Sequence, residues 1–459
     1  MNVVAPAPGA TLTTPADPAL DEPGAVRASE RPADDDARVA ASIIALLMLT
    51  IPLADARVLW NVPGSGMDWN RSVIVAPFDL VLLVAVGWTL LRPRLLADLF
   101  RSRAVKIVAG LYAATFAVAL VTGFSWLGVN LGVRLGVGLC VIALVAKGAE
   151  SAKGRQFMLG TIVVVGVLQA VLGMAQSAHG TAFGIDFVDY AGRLYPFGNS
   201  RAGRGGLGHP YHLAVLLAVA QGAALLGLRH TRAARWPWVA ALAVLGAGIA
   251  VTYTRAGAIG QVLLVICLLL GRRDRRLMLP AAAAIVLGLA IGGVAFGDGW
   301  LARSEVTLNA DGTQNVSSSR TERLREAQEL IEAHPATGVG PGNYVDALHA
   351  TKRVEYLPAH NLVAQEAAEL GILGGVAALG LLCLLGLRVL RGGAWTGAVV
   401  LPIVPFLLLD AYPYVFATGI ALAAIWLGLA RVSLDPAASS EGLDAPGDLD
   451  RAAQPEPVA

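Results

Sequence analysis

Three basic side chains stand out by type and surroundings: Arg255, Arg320 and His360, each in or beside a polar stretch of an otherwise apolar chain. Most of that polarity lies between about Trp300 and Asn361. It comprises Ser319-Arg320-Thr321-Glu322, His334-Pro335-Ala336-Thr337-Gly338-Val339-Gly340 and Pro358-Ala359-His360-Asn361. A guanidinium presents a planar fork of donors that matches phosphate oxygens. An imidazole titrates near neutrality and is suited to accept a proton from a hydroxyl. Held at a membrane surface, such a set suits chemistry on a lipid-borne anionic substrate.

Further groups surround these three. Arg201-Ala-Gly-Arg204-Gly-Gly-Leu-Gly-His209-Pro is basic and glycine-rich, so its backbone N–H groups can approach an anion closely. The alternative is a flexible loop with solvated charges. Arg255, in Val251-Thr-Tyr-Thr-Arg255-Ala-Gly, joins two apolar runs with almost no loop. It either snorkels to the headgroups or lines an outward-facing cavity. His360 precedes an apolar run that carries Leu362, Glu366 and Glu369 on roughly one helical face. Carboxylates in a membrane helix face a cavity or a partner. Asp79 and Asp410 read as partners of interior arginines.

The elements that position these residues follow from composition. The chain is 56% hydrophobic and 15% charged, against about one quarter charged in soluble domains; its mean hydropathy is +0.62. Apolar runs of spanning length recur, which implies an all-α polytopic membrane protein with about twelve transmembrane helices. Their approximate extents are 39–55, 73–91, 107–123, 131–146, 157–176, 210–228, 236–253, 256–271, 277–297, 361–387, 395–411 and 413–430. Cys140, Cys267 and Cys383 all fall inside such runs and form no disulfide framework or metal cluster. A net charge of +2 does not suggest nucleic acid.

Lys and Arg concentrate in one alternating set of loops: Arg92 to Lys106, Lys147 to Arg155, Arg229 to Arg235, Arg272 to Arg276, and Arg388 with Arg391. These loops are expected to be cytoplasmic, with both termini. The two long loops at 177–209 and 298–360 then face outward. The first also carries Asp186, Asp189, Tyr190, Arg193 and Tyr195. The second contains an amphipathic helix between spans nine and ten. Ser319 is its expected N-cap, Glu322 closes a capping box, and Pro335 stops it. Leu324, Ala327, Leu330 and Ile331 form its apolar stripe, with Glu322, Glu326, Glu329 and Glu332 largely off it. Arg320 sits where free N–H groups also favour an anion. The membrane domain is expected over 38–431, between disordered cytoplasmic tails at 1–37 and 432–459. The N-terminus has no basic region leading into a short apolar core, so it is not read as a signal peptide.

In order and spacing, Thr254-Arg255-Ala-Gly, Ser319-Arg320, His334-Pro335-Ala-Thr-Gly338-Val-Gly340-Pro-Gly342, His360-Asn361 and Glu369-Leu-Gly371-Ile-Leu-Gly374 resemble the C-terminal region of the O-antigen ligase and polymerase superfamily. The resemblance covers about residues 250–380. The N-terminal half shares only the span count and the loop ending Gly208-His209-Pro210. It implies a glycosyltransferase of the bacterial inner membrane that moves a glycan from undecaprenyl diphosphate to an acceptor hydroxyl of a glycan, lipid or protein, without metal or other cofactor. It implies that Arg255 and Arg320 steady the diphosphate, with Arg201 or Arg204 behind them, and that His360 is the base. His209, Glu366 and Glu369 are further substrate-binding candidates. The rival from another class is a flippase for lipid-linked glycans. That would show an internal repeat between its halves, and the polar island occurs in one half only.

Overall fold

In lipid, a backbone satisfies its own N–H and C=O groups only as a helix or a closed barrel. The chain takes the first route. The computed structural model describes residues 27–53, 57–61, 72–75, 77–184, 194, 196–197, 199–231, 234–308, 316–350, 358–409 and 417–434. Asp186, Asp189, Tyr190, Arg193, Tyr195 and Asp410 lie outside these. The helices are α1 (Arg27–Thr50), α2 (Pro77–Leu90), α3 (Pro93–Leu99), α4 (Arg103–Thr122), α5 (Trp126–Gly148), α6 (Ala152–His179), α7 (Pro210–His230), α8 (Trp236–Ala250), α9 (Arg255–Leu270) and α10 (Arg275–Ala295). They continue with α11 (Gly297–Leu308), α12 (Val316–Ala333), α13 (Tyr344–Ala350), α14 (Leu362–Leu370), α15 (Ile372–Val400), α16 (Val404–Leu408) and α17 (Ala417–Val432). Among the described residues, two short antiparallel strand pairs accompany them, β1 (Arg57–Asn61) with β2 (Ser72–Val75), and β3 (Pro196–Phe197) with β4 (Ser200–Arg201).

Among the described residues, seven helical stretches are long and apolar enough to cross a membrane, or eight if the α2–α3 pair, bent by 91°, is one span. About twelve were expected. Part of the difference is in α8, α9 and α17, which are apolar but only 15, 16 and 16 residues long, short of the roughly 20 a straight span needs. The rest lies near the C-terminus. The expected spans 361–387 and 395–411 meet at a kink: within the stretch Ile372–Leu408, non-helical Gly393 (φ 68°, ψ −158°) separates two helices. What precedes Gly371 separates as α14. At the other end, α1 begins at Arg27, inside the expected tail, and ion pairs Asp34–Arg38 and Asp36–Arg92 brace its start.

α7 is the axis of the bundle: its spanning window is buried throughout, and α6, α8, α15 and α17 pack around it. The basic turns gather at one end. Arg229 Nη1 donates to the Ser433 carbonyl (3.2 Å), Arg431 Nη2 to the Asp98 carbonyl (3.1 Å), and Trp395 Nε1 to Asp274 Oδ2 (2.6 Å). The loops expected on one side of the membrane thus share one end, and both ends of the described chain join them. Asp79 lies within electrostatic reach of Arg134, the kind of interior partner expected for it.

Inside the bundle, Gln221 of α7 and Gln261 of α9 exchange two hydrogen bonds, 2.9 and 2.8 Å. Each amide satisfies the other where no water reaches. Replacing one leaves the other's donor and acceptor buried without a mate. Gln261→Leu is therefore expected to destabilise the detergent-solubilised protein by about 1 kcal/mol. The double variant Gln221→Leu/Gln261→Leu should be more stable than the single one, as read by thermal unfolding. Additive losses would contradict the pairing.

Candidate functional site

Arg255 opens α9 from a turn that is fixed on every side. Thr252 Oγ1 donates to the Ile249 carbonyl (2.7 Å), and the Thr252 and Thr254 hydroxyls lie 2.9 Å apart in a hydrogen bond. Gly203 N donates to the Val251 carbonyl (2.9 Å). Tyr253, fully buried, takes a left-handed φ of 50°. For a bulky residue this costs on the order of 1–3 kcal/mol and persists only where the surroundings over-determine it. They do so here through edge-on contacts of the Tyr253 ring with Phe197 (5.6 Å) and Trp300 (5.8 Å). Trp300 is itself tied to the Ala250 carbonyl by a 2.9 Å bond from its indole N–H.

One turn along α11 from Trp300 stands Arg303, whose guanidinium carbon lies 4.7 Å from the Phe197 ring centre. This residue was not singled out from the sequence. Its signal there is only a Trp300–Arg303 pair at i, i+3 after an apolar run. Burial, then the positive charges of Arg255 and Arg320, push its guanidinium down to about 10. The positive charge of Arg320 also bears on Arg255. Arg255, Arg303 and Arg320 are thus mutually repelling cations in one region.

Arg320 reaches that region on α12, by a route that differs from expectation. The helix begins at Val316, so Ser319 and Arg320 lie within its opening turns and Ser319 is not its N-cap. The buried face carries Ala327 and Leu330, but also Arg323 and Glu326, 4% and 2% exposed and ion-paired at 2.7 Å. Leu324, expected on the stripe, is 45% exposed. Pairing lets Glu326 occupy a position that hydrophobicity alone would assign to Leu324.

α12 packs along α14, and both end at the same turn: Ile372 N donates to the Pro335 carbonyl (2.9 Å), and Gly371 (φ 80°) passes against Ala336. The two helices therefore point the same way, which puts Arg320 and His360 at their common starting end. His360 has a left-handed φ of 52°. The next residue, Asn361, caps α14 by accepting from Ala364 N (3.0 Å), and its amide donates to the Leu408 carbonyl (3.0 Å). That second bond fixes the depth of His360. α9 runs antiparallel to the stretch through α15 and α16, with Gly397 against Cys267 and Gly260 against Pro402. Continuing this register brings Leu408 level with Arg255. The four groups Arg255, Arg303, Arg320 and His360 thus occupy one end of the bundle, opposite the basic turns.

The other candidates have different occupations. Arg204 is 0% exposed. Its loop donates Arg204 N and Gly205 N to Gln176 Oε1 (3.0 and 2.8 Å) and Gly206 N to Gln169 Oε1. These N–H groups are spent on α6, so the anion cradle expected in the glycine-rich segment does not form, and the loop is a clamp. The Arg201 carbonyl accepts from Ser177 Oγ (2.7 Å) in the same clamp. His209 is the N-cap of α7, its Nδ1 accepting from Tyr211 N (3.0 Å). Glu366 and Glu369 are buried. Glu366 accepts from the Tyr112 hydroxyl (3.3 Å), and Glu369 from Gly342 N (2.7 Å) and Gln365 Nε2 (2.6 Å). Glu369 therefore anchors the Gly338–Gly342 loop to α14. Among the described residues, no group of three or more His, Cys, Asp or Glu side chains is arranged to hold a metal ion.

Residues 240–379 match the O-antigen ligase family. The matched stretch contains Arg255, Arg303, Arg320, His360, Glu366 and Glu369, and excludes Arg201, Arg204 and His209. No curated protein matches the chain significantly.

The Glu369 anchor makes a testable demand on pH. Burial raises its carboxyl from 4.5 to about 7, against the lowering pull of its N–H donors from Gly342, Gln365 and Tyr344. Through that window the folded protein holds a proton that the unfolded chain has released, so stability falls as pH rises and levels off above about 7. Glu369→Gln is expected to shrink the difference in Tm between about pH 5 and pH 8. An unchanged difference would contradict this environment.

Proposed function

We propose that this chain, a membrane protein of the O-antigen ligase and polymerase superfamily, transfers a glycan from undecaprenyl diphosphate to an acceptor hydroxyl. The family supports a lipid-linked donor and an acceptor in general terms. The carrier, the site and the setting are our reading. The observation that carries it is the convergence of Arg255, Arg320 and Arg303 at one end of the bundle, close enough for the charges of Arg255 and Arg320 to bear on Arg303 and that of Arg320 on Arg255. Such a group favours a ligand with two or more negative charges, and a diphosphate is one.

In the proposed reaction the acceptor oxygen attacks the anomeric carbon of the donor's first sugar. The bond from that carbon to the phosphate oxygen breaks, and the diphosphate leaves with the electron pair. Arg255 and Arg320 take up the developing negative charge, with Arg303 behind them; fixed donors do this without reorganising during the step. His360 accepts the proton from the attacking hydroxyl. Its left-handed backbone and the Asn361 cap hold the imidazole at the end of α14. Glu366 and Glu369 act on substrate only through the loop and helix they hold.

The setting proposed is the bacterial inner membrane, with the arginine site on the outer side and both termini in the cytoplasm. It rests on the concentration of Lys and Arg at the opposite end. A Ser304→Cys variant lacking the three native cysteines should react with a membrane-impermeant thiol reagent added to intact spheroplasts. Protection there with labelling only after lysis would invert the topology.

The chemistry is tested with a defined undecaprenyl-diphosphate glycan in vitro. Arg255→Ala, Arg320→Ala and His360→Ala should each lower transfer by at least about 100-fold at unchanged protein level. Arg303→Gln should lower it by about tenfold, and Arg255→Lys should not restore it, because an ammonium lacks the two-pronged donor. Normal transfer by the alanine variants would refute the site.

A further inference from the structure

The opposite end of the bundle carries a feature that glycan transfer does not use. α9 takes the chain about 24 Å from Arg255 to its end, at roughly 1.5 Å per residue. There a cavity of about 490 Å3 is lined by Arg235, Asp274, Arg275, Arg276 and Leu277. Arg235 comes just before α8, and the other four lie where α9 hands over to α10, so two separate turns build the walls. Three arginines and one aspartate line it, and the aspartate carboxylate accepts from the Trp395 indole N–H at 2.6 Å. The cavity therefore keeps an excess of positive charge with its acid already engaged. Its volume falls within the range of small-ligand sites, roughly 300–1,000 Å3.

The surroundings are apolar. Trp236, adjacent to Arg235, is 78% exposed, and Leu270 and Leu279, on either side of the handover turn, are 68% and 49% exposed. Tryptophan at a helix end is the side chain favoured at the membrane–water boundary. A bias of arginines toward one side of a membrane explains their number in these turns. It does not require them to converge from two turns on one hollow.

We propose that this cavity binds a phosphate-bearing anion, with the headgroup of an anionic membrane lipid as its ligand and the exposed Trp236, Leu270 and Leu279 alongside the acyl chains. Guanidinium forks suit phosphate oxygens, and basic hollows between membrane helices are suited to such headgroups. The site is separate from the proposed catalytic end and stands whether or not that reading holds.

The test uses the full chain in detergent micelles, titrated with phosphatidylglycerol and with phosphatidylcholine and read by native mass spectrometry. Wild-type protein should bind phosphatidylglycerol about tenfold more tightly than phosphatidylcholine. Arg235→Gln/Arg275→Gln/Arg276→Gln should lose that preference, and Arg276→Gln alone should lose part of it. Arg103→Gln/Lys106→Gln, at exposed residues on the same end of the bundle, should keep it. Inorganic phosphate that displaces the lipid at millimolar concentration would assign the anion site to free phosphate; no displacement assigns it to the headgroup. Equal binding of the two lipids without any phosphate binding would overturn the proposal. So would a loss in the Arg103/Lys106 variant as large as that in the triple variant.

Discussion

Like charges do not gather in a region of low dielectric unless the fold forces them to. Arg255, Arg303 and Arg320 repel one another at one end of a lipid-embedded bundle, and much of the local structure is the means of holding them there. Tyr253 accepts an unfavourable backbone conformation so that α9 can open directly on Arg255. Phe197 and Trp300 hold Tyr253, and the Phe197 ring face also receives the Arg303 guanidinium. α12 brings Arg320 from a separate part of the chain and is held by its packing on α14 and by the Tyr344 hydroxyl, which donates to the Arg323 carbonyl. Fixed cations of this kind are what a diphosphate needs, because a doubly charged anion interacts favourably with several of them at once.

The rest of the fold is arranged around that end. The glycine-rich loop before α7 does not reach for a ligand. It clamps α6 to the turn beside Arg255 through Gln176, Gln169 and the Val251 carbonyl. The Gly338–Gly342 loop is held by Glu369, and Asn361 hooks α14 onto α16. Each places a polar contact between segments that apolar packing alone would leave free to slide. The two non-glycine residues with left-handed backbones nearest this region, Tyr253 and His360, flank or are the groups that would act. Strain located there and sustained by many contacts is what a preorganised site requires.

Much of this could be read from the amino-acid sequence. The apolar runs named the all-helical membrane class, and the grouping of Lys and Arg in alternate loops foretold which turns share an end. The order of Arg255, Arg320 and His360 pointed to the superfamily and to the region later matched at 240–379. Hydropathy could not reveal breaks inside apolar runs: Gly371 separates α14 from α15 without any drop in hydrophobicity. Nor could a stripe pattern foresee that Glu326 is buried with its i, i+3 partner Arg323 while Leu324 is exposed, since which face of the helix is covered is set by the elements it packs against. Arg303 escaped notice because its value comes from neighbours on a hairpin and on α12, and nothing in its own surroundings along the chain marks it. Arg204 misled in the opposite way: arginine among glycines reads as an anion loop, yet its backbone donors are consumed by two glutamines some thirty residues earlier.

The most direct measurement is a cryo-electron microscopy structure of the protein in nanodiscs with bound undecaprenyl diphosphate. Diphosphate density is expected within hydrogen-bonding distance of the Arg255 and Arg320 guanidiniums, with Arg303 behind them and the His360 imidazole facing the sugar-bearing side. Diphosphate bound elsewhere, or these guanidiniums turned away from a shared pocket in the bound state, would contradict this placement.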